Sequence, residues 1–323
     1  MNANGKTVLV IGAKGGVGGT AAAALLRAGW TVKALARGQG TRPDLAGTQW
    51  IQGDAMNRAD VVQAAVGVDV IVHAVNPPGY RDWDTLVLPM VDNTIAAAKA
   101  AGARIVLPGT VYNYGPDALP TLTETSPQNP LTVKGGIRVA LERRLEAAAR
   151  EGARVLILRC GDFFGPHAGN NWFGQGLVTP GKPVTAIPYP GPHGIGHAWA
   201  YLPDVGEALV RLLAREGDLA AFESFHFGGH WLEPGVEMAA SIQRVVAART
   251  GRQPVLKPFP WWLVTLASPF VTTLREMREM RYLWQRPVRL DNTKLTAFLG
   301  SEPHTPLDRA VADTLAQLGC LPA

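Results

Sequence analysis

An α/β fold with a doubly wound parallel sheet is the fold class this sequence predicts, and three observations carry it. Short apolar runs alternate with amphipathic helical patterns through the first half of the chain. The first run, Thr7 to Ile11, leads straight into glycines at Gly12, Gly15 and Gly18. An alanine-rich helical pattern from Val17 to Ala28 follows at once and stops at Gly29, a good C-cap residue. Strand, glycine turn and helix N-terminus in that order form the Rossmann-type cradle for a dinucleotide pyrophosphate. Glycine lets backbone approach phosphate, and the unpaired N–H groups and dipole of the helix favour negative charge. The loop Gly12-Ala-Lys14-Gly15-Gly16-Val17-Gly18 is therefore the first candidate cofactor site. A lone glycine pattern is weak, but this one follows a strand and opens a repeating series.

The later elements extend that series. Thr31 to Ala36 reads as the second strand and ends at Arg37. An NAD site usually places a carboxylate here for the ribose 2′-hydroxyl. Arg37, Lys14 in the glycine loop and nearby Arg42 instead suit a 2′-phosphate, since guanidinium donates paired hydrogen bonds to phosphate oxygens. The expected cofactor is NADP(H), with NAD(H) second. Asp54, after the third strand, is placed at the adenine. Val70 to Ala74 is a buried strand, Thr85 to Ala101 a helix, and Arg104 to Pro108 a strand. Leu131 to Arg150 is a long helix with Ile137, Leu141, Leu145 and Ala148 on one face, and Val155 to Leu158 is the sixth strand. Residues 161–197 are rich in Gly, Pro, Asn and His and read as loop. Asp204 to Ala214 returns to helix and Phe222 to Phe227 to strand, and from Glu233 the chain is mainly helical with proline joints. The expected division is a dinucleotide-binding domain of 1–160 and 198–228, with a substrate cap of 161–197 and 229–323.

Composition bounds the function. The chain has 323 residues, 47% apolar and 18% charged, which describes an ordinary globular protein. Its net charge of +5 comes without any run of five like charges, so no nucleic-acid partner is expected. Two cysteines, Cys160 and Cys320, form no C-x-x-C pair and suggest neither a disulfide framework nor a zinc site, which fits a cytoplasmic protein. The apolar stretch Trp261 to Val271 is too short to span a bilayer and contains Pro269, so no membrane partner is expected.

The landmarks taken together resemble a known family. They are Gly12-x-x-Gly15-x-x-Gly18, Gly53-Asp54, His73-Ala74-Val75-Asn76, Gly109-Thr110 leading to Tyr114-Gly115, Leu158-Arg159 followed by Phe164-Gly165-Pro166, and Tyr201-x-x-Asp204. The chain resembles, over nearly its whole length, the extended short-chain dehydrogenase/reductases of the NAD-dependent epimerase/dehydratase group. The resemblance implies cofactor contacts at Ala74, Val75 and Lys134, a catalytic hydroxyl at Thr110, and pairing of two copies through helices matching 85–101 and 131–149.

One departure matters more than the matches. Such enzymes carry Tyr-x-x-x-Lys on the helix after the fifth strand, where the tyrosine exchanges a proton with substrate and the lysine lowers its pKa. Here that helix reads Lys134-Gly-Gly-Ile-Arg138-Val-Ala-Leu-Glu142. Registered on Glu142, the tyrosine position holds Lys134 and the lysine position Arg138. Three readings stay open. Lys134 is the acid/base, with Arg138 on the same helical face lowering its pKa. Alternatively the proton comes from Tyr112, Tyr114, a cap histidine or the substrate itself. In the third reading the chain binds NADP(H) without chemistry, as a redox sensor or regulator.

Other constellations are weaker. His193/His197 and His226/His230 are each four apart, but no third ligand completes a set and no metal is expected. Tyr112, Asn171 and His197 are candidate substrate contacts, His197 at the mouth of the site. Asn170, Asn171, Trp172 and Phe173 lie where related enzymes close over substrate. Arg275, Arg278 and Arg281, interleaved with Glu276 and Glu279, read as a solvated face. The overall expectation is NADP(H)-dependent oxidoreduction, epimerisation or dehydration of a small carbonyl, alcohol or sugar-like substrate.

Overall fold

Apolar runs covered on both faces are what a parallel sheet needs, and they build the centre of this molecule. The structure is a computed structural model that describes residues 5–38, 42–77, 82–169 and 171–322. The chain runs β1 (Thr7–Ile11), α1 (Gly16–Arg27), β2 (Thr31–Ala36), β3 (Gln49–Gln52), α2 (Arg58–Ala64), β4 (Val70–His73), α3 (Trp83–Ala101), β5 (Arg104–Gly109), β6 (Thr121–Leu122), α4 (Val133–Arg150) and β7 (Arg154–Arg159). It continues through β8 (Asp162–Phe164), β9 (Ala186–Tyr189), β10 (His197–Tyr201), α5 (Leu202–Ala214), β11 (Phe222–His226), β12 (His230–Leu232), α6 (Glu237–Thr250) and β13 (Val255–Pro258). The last elements are α7 (Trp261–Ala267), α8 (Thr272–Glu279), α9 (Tyr282–Gln285), β14 (Arg289–Leu290), α10 (Thr293–Leu299) and α11 (Leu307–Gln317).

Seven strands form one parallel sheet in the order β11-β7-β5-β4-β1-β2-β3. The order reverses between β1 and β4, so the crevice for a ligand lies at their carboxyl ends. One face buries Val8, Val10, Leu25 and Val205 under α1 and α5; the other buries Leu9, Ile11, Val91 and Leu145 under α3 and α4. Alternate residues of β1 serve opposite layers, as the two-residue period of a strand requires. The expected doubly wound sheet is thus present.

Helix termini follow their local chemistry. Thr132 caps α4 by accepting from Gly135 N at 3.0 Å, and Asn57 caps α2 by accepting from Ala59 N at 2.9 Å. Gly29 and Gly102 end α1 and α3 with φ of +83° and +66°.

The segment 161–197 departs from the loop expectation. It carries β8 and β9 and a single π-helical turn over Phe173–Leu177. Its glycines and prolines concealed short strands that pair with distant partners, β8 with β10 and β9 with β13. A third apolar cluster gathers Phe164, Phe173, Ile187 and Trp199 with Ile242, Trp284, Val311 and Leu315, drawing on segments far apart in sequence. Of the residues placed over the substrate, Asn170 lies outside the described residues.

Candidate active site

Backbone geometry makes the cradle. Gly12 has φ of +97°, and a Cβ there would sit 2.6 Å from the Ala74 carbonyl oxygen and 2.8 Å from Val75 N. Only glycine fits this left-handed, close-packed position. Gly15 N donates to Gly12 O at 3.0 Å, and Gly18 lies against the Gly12 carbonyl, so α1 starts directly behind the turn. A Cβ on Gly16 would meet the Ala168 Cα and the His167 carbonyl at 2.8 Å, so the loop after β8 roofs the first turn of α1.

Arg42 corrects one expectation. Its Nη1 donates to Gly15 O at 3.0 Å and to Ala13 O at 3.3 Å, while Asp44 accepts from its Nε and Nη2 at 3.0 and 2.6 Å. That hydrogen-bonded pairing holds the Asp44 carboxyl below the usual carboxylate range. Carbonyl groups of the glycine loop point at this guanidinium, so Arg42 braces the cradle. Lys14 and Arg37 are the exposed cations at the rim.

Two adjoining cavities lie at the carboxyl ends of the central strands. One, of about 240 Å³, is bounded by Gly12, Lys14, Arg37, Asp54 and Val75, with Leu35 and Met90 as apolar wall. The other, of about 210 Å³, is bounded by Val17, Thr110, Tyr112, Arg138 and Asp162. Asn76 and Pro77 line both. The Thr110 Oγ1 is buried and has no hydrogen-bond partner among the described residues. Leaving a hydroxyl so costs roughly 1–3 kcal/mol, which a bound oxygen at the second cavity would recover.

Helix α4 presents its basic pair to Trp83 at the start of α3. Lys134 Nζ lies 5.9 Å from the Trp83 ring centroid and the Arg138 guanidinium 4.9 Å. Both side chains are buried, and Arg138 Nη2 donates to Asn76 Oδ1 at 2.8 Å. Arg138 and Trp83 line the second cavity; Lys134 is packed behind them. Glu142, the residue that set the register, takes a bidentate pair from Arg159 at 3.0 and 2.6 Å and a bond from Gln128. Arg159 also donates to Thr110 O at 2.6 Å. This buried pair fixes the strand ends that carry Thr110.

Two of the candidate substrate contacts, Asn171 and His197, line neither of these two cavities. Asn171 donates to Ala168 O and Gly169 O and accepts from Gly174 N at 2.8 Å, so its amide staples its own loop instead of facing a substrate. His197 is buried, stacked on Trp284 with ring centroids 4.0 Å apart, and its Nε2 lies 2.8 Å from Asp162 Oδ2. It stands inside the fold behind Asp162, since β10 pairs with β8 and turns its imidazole inward. Of the alternative proton sources, Tyr112 lines the second cavity, whereas the Tyr114 hydroxyl faces His226 Nε2 at 3.3 Å and burial pushes its pKa up.

Asp162 was missed in the sequence. It lies three residues past Arg159, between two landmarks, and a lone carboxylate there was the available signal. No group of three metal-ligating side chains occurs among the described residues.

Comparison with known proteins follows the same lines. The model of the NAD dependent epimerase/dehydratase family matches residues 8–225. A 2-alkyl-3-oxoalkanoate reductase of Shewanella oneidensis is 36% identical over 95 residues, which is 28% of this chain and 24% of that protein. The chain thus spans about a quarter of that relative. Among solved structures, MoeE5 in complex with UDP-glucose and NAD aligns with a TM-score of 0.72 at 20% identity, covering 97% of this chain and 98% of that one. The UDP-glucuronic acid 4-epimerase from Bacillus cereus in complex with NAD gives 0.72 at 17% identity, covering 97% and 96%. WbmH of Bordetella bronchiseptica in complex with NAD+ gives 0.69 at 20% identity, covering 97% of each chain.

Proposed function

The chain belongs to the NAD-dependent epimerase/dehydratase family and is an NAD(P)-dependent enzyme; from that premise we propose that it prefers NADP(H) and acts on a small carbonyl, alcohol or sugar-like substrate. The observation that carries this reading is the pair of cavities joined at Asn76 and Pro77, one with cations at its rim and one with an unpartnered hydroxyl. The first has the lining for an adenosine: Asp54 beside the base, and Lys14 and Arg37 beside a 2′-phosphate. The glycines Gly12, Gly15, Gly16 and Gly18, with Val17, Ala74 and Val75, would carry the pyrophosphate and the strand-edge contacts. When bound, the nicotinamide supplies or takes a hydride. Thr110 would hold the substrate oxygen, Tyr112 would border the substrate, and Arg138 would orient ribose and exclude water with Trp83.

Two sources of the proton remain, each with its own support. Lys134 has the position of the family tyrosine and Arg138 beside it, which supports Lys134 as acid/base. Asp162 opens directly on the second cavity with His197 hydrogen-bonded behind it, which supports this pair as the relay. The third apolar cluster supports treating 161–197 and 229–323 as the substrate cap, with β10 shared between cap and sheet. A homodimer through α3 and α4 is part of the same reading. Asp162 opening on the second cavity, with Lys134 packed behind its Arg138 and Trp83 wall, favours an enzyme over a non-catalytic regulator.

The test is a screen of small carbonyl compounds with NADPH and with NADH, followed by Lys134→Ala, Asp162→Asn and His197→Gln on the best substrate. A proton donor should lose about 100-fold or more in kcat with dinucleotide affinity kept. If every variant retains wild-type turnover, neither source is right. Should no carbonyl be reduced with either dinucleotide, the reductase reading fails and epimerisation or dehydration is the reading left.

A further inference from the structure

Five of the ten large apolar side chains that the described residues leave exposed fall within ten positions: Trp262, Leu263, Leu266, Phe270 and Val271. Trp262, Leu266 and Phe270 are 68, 69 and 88% exposed and recur every fourth residue, the spacing of one helical face. Helix α7 turns its other face inward. Val264 is buried, and Trp261 donates its Nε1 to Pro190 O at 2.7 Å while packing on Phe259. The turn into α8 continues the ridge, with Phe270 N and Val271 N both donating to Ala267 O. A contiguous exposed patch of this kind marks a contact surface.

Charge says what the contact is. Residues 252–289 contain seven Lys or Arg and two Glu, an excess equal to the net +5 of the whole chain. Everywhere else the charges balance at twenty-four of each sign. A cavity of about 430 Å³ lies at the root of α7, with Lys257, Arg281, His193 and Trp261 in its wall. The Arg281 guanidinium stacks on Trp261 at 5.0 Å, so the cation and the aromatic base of the ridge form one unit. Lys257 in that wall is exposed, as are Arg275 and Arg286 on the same stretch of chain.

We propose that this ridge docks the protein on the surface of an anionic lipid bilayer, with Trp262, Leu266 and Phe270 entering the interface and the cations meeting lipid phosphates. The pairing answers the arithmetic of peripheral attachment, in which one weak apolar anchor needs a second, electrostatic signal. No helix among the described residues is long and apolar enough to cross a membrane, so the contact is made from one side.

The experiment is co-sedimentation of the full chain with vesicles of equal parts phosphatidylglycerol and phosphatidylcholine, and with pure phosphatidylcholine. Binding to the anionic vesicles is expected to exceed binding to the neutral ones by about tenfold and to fall as salt is raised. Trp262→Ser combined with Leu266→Ser, and separately Phe270→Ser alone, should each reduce it. Lys257→Glu with Arg286→Glu should abolish the preference for anionic lipid. An unchanged thermal midpoint establishes that each variant is folded, and the single Phe270→Ser serves if the double variant is not. Failure of the wild type to sediment with either vesicle overturns the proposal. So does wild-type binding by folded variants, equal binding to neutral vesicles, or a dimer abolished by Phe270→Ser in a protein that ignores lipid.

Discussion

The cradle at β1–α1 and the region around β8 and β10 are built by opposite means. In the cradle, neighbours in sequence are neighbours in space: Gly12 touches Gly15 and Gly18, and specificity lies in what a missing Cβ permits. Around β8 and β10, side chains from remote segments meet. Asp162 bonds His197, the Tyr282 hydroxyl donates to the Tyr114 carbonyl at 3.1 Å, and Thr305 donates to Asp204 from 101 residues away. The first kind of site begins as a local backbone property, which Ala74, His167 and Arg42 then close in. The second is set by tertiary packing and depends on which remote segments are brought together.

The largest effect should come where the two regions are joined. Glu142→Ala leaves Arg159 buried with its partner gone, and it should cost about 3–5 kcal/mol in urea unfolding. A loss below 1 kcal/mol would mean that the strand ends are held some other way. Next, Gly12→Ala forces a side chain into a left-handed position against Ala74. NADPH affinity should fall by about 100-fold, read by calorimetry, while the cap variant Asn171→Ala leaves it within about twofold. Arg37→Asp should then shift the NADPH:NADH affinity ratio toward NADH by about 10- to 100-fold, the worth of a charge-assisted hydrogen bond. An unchanged ratio would remove Arg37 from the phosphate.

Acid sensitivity gives a further test. Burial holds both His73 and His226 neutral, with pKa values pushed down from 6.5 to about 3. The folded state therefore binds fewer protons than the unfolded state as pH falls below 6.5. Stability should decline from there toward pH 3, by about 1.4 kcal/mol per pH unit for each histidine at most. His226→Gln should flatten that decline in urea titrations between pH 6 and 4, and an equal slope in the variant would assign the acid sensitivity to other groups.

Legibility in the sequence follows the same contrast. The sheet, β1, β2, β7 and the glycine cradle were readable because apolar period and turn chemistry are local signals. The role of Arg42 was not: a cation near a phosphate site reads as a ligand until the carbonyls of Ala13 and Gly15 are seen to face it. Nor could β8 and β9 be read, since three- and four-residue strands among prolines acquire their identity from partners on β10 and β13. Asn171 looked like a substrate amide because the polar type alone does not say whether its own loop uses it. The pairing of Asp162 with His197 across 35 residues has no local signature at all.

The central claim is that a phosphorylated dinucleotide lies along the two cavities joined at Asn76 and Pro77. Calorimetric titration of the wild type with NADPH, NADP, NADH and NAD tests it most directly. Saturable one-to-one binding, tighter for the phosphorylated pair and lost in Gly12→Ala, is the expected result. Tighter binding of NADH than NADPH would contradict the reading of Lys14 and Arg37, and no heat from any of the four would contradict the dinucleotide site itself.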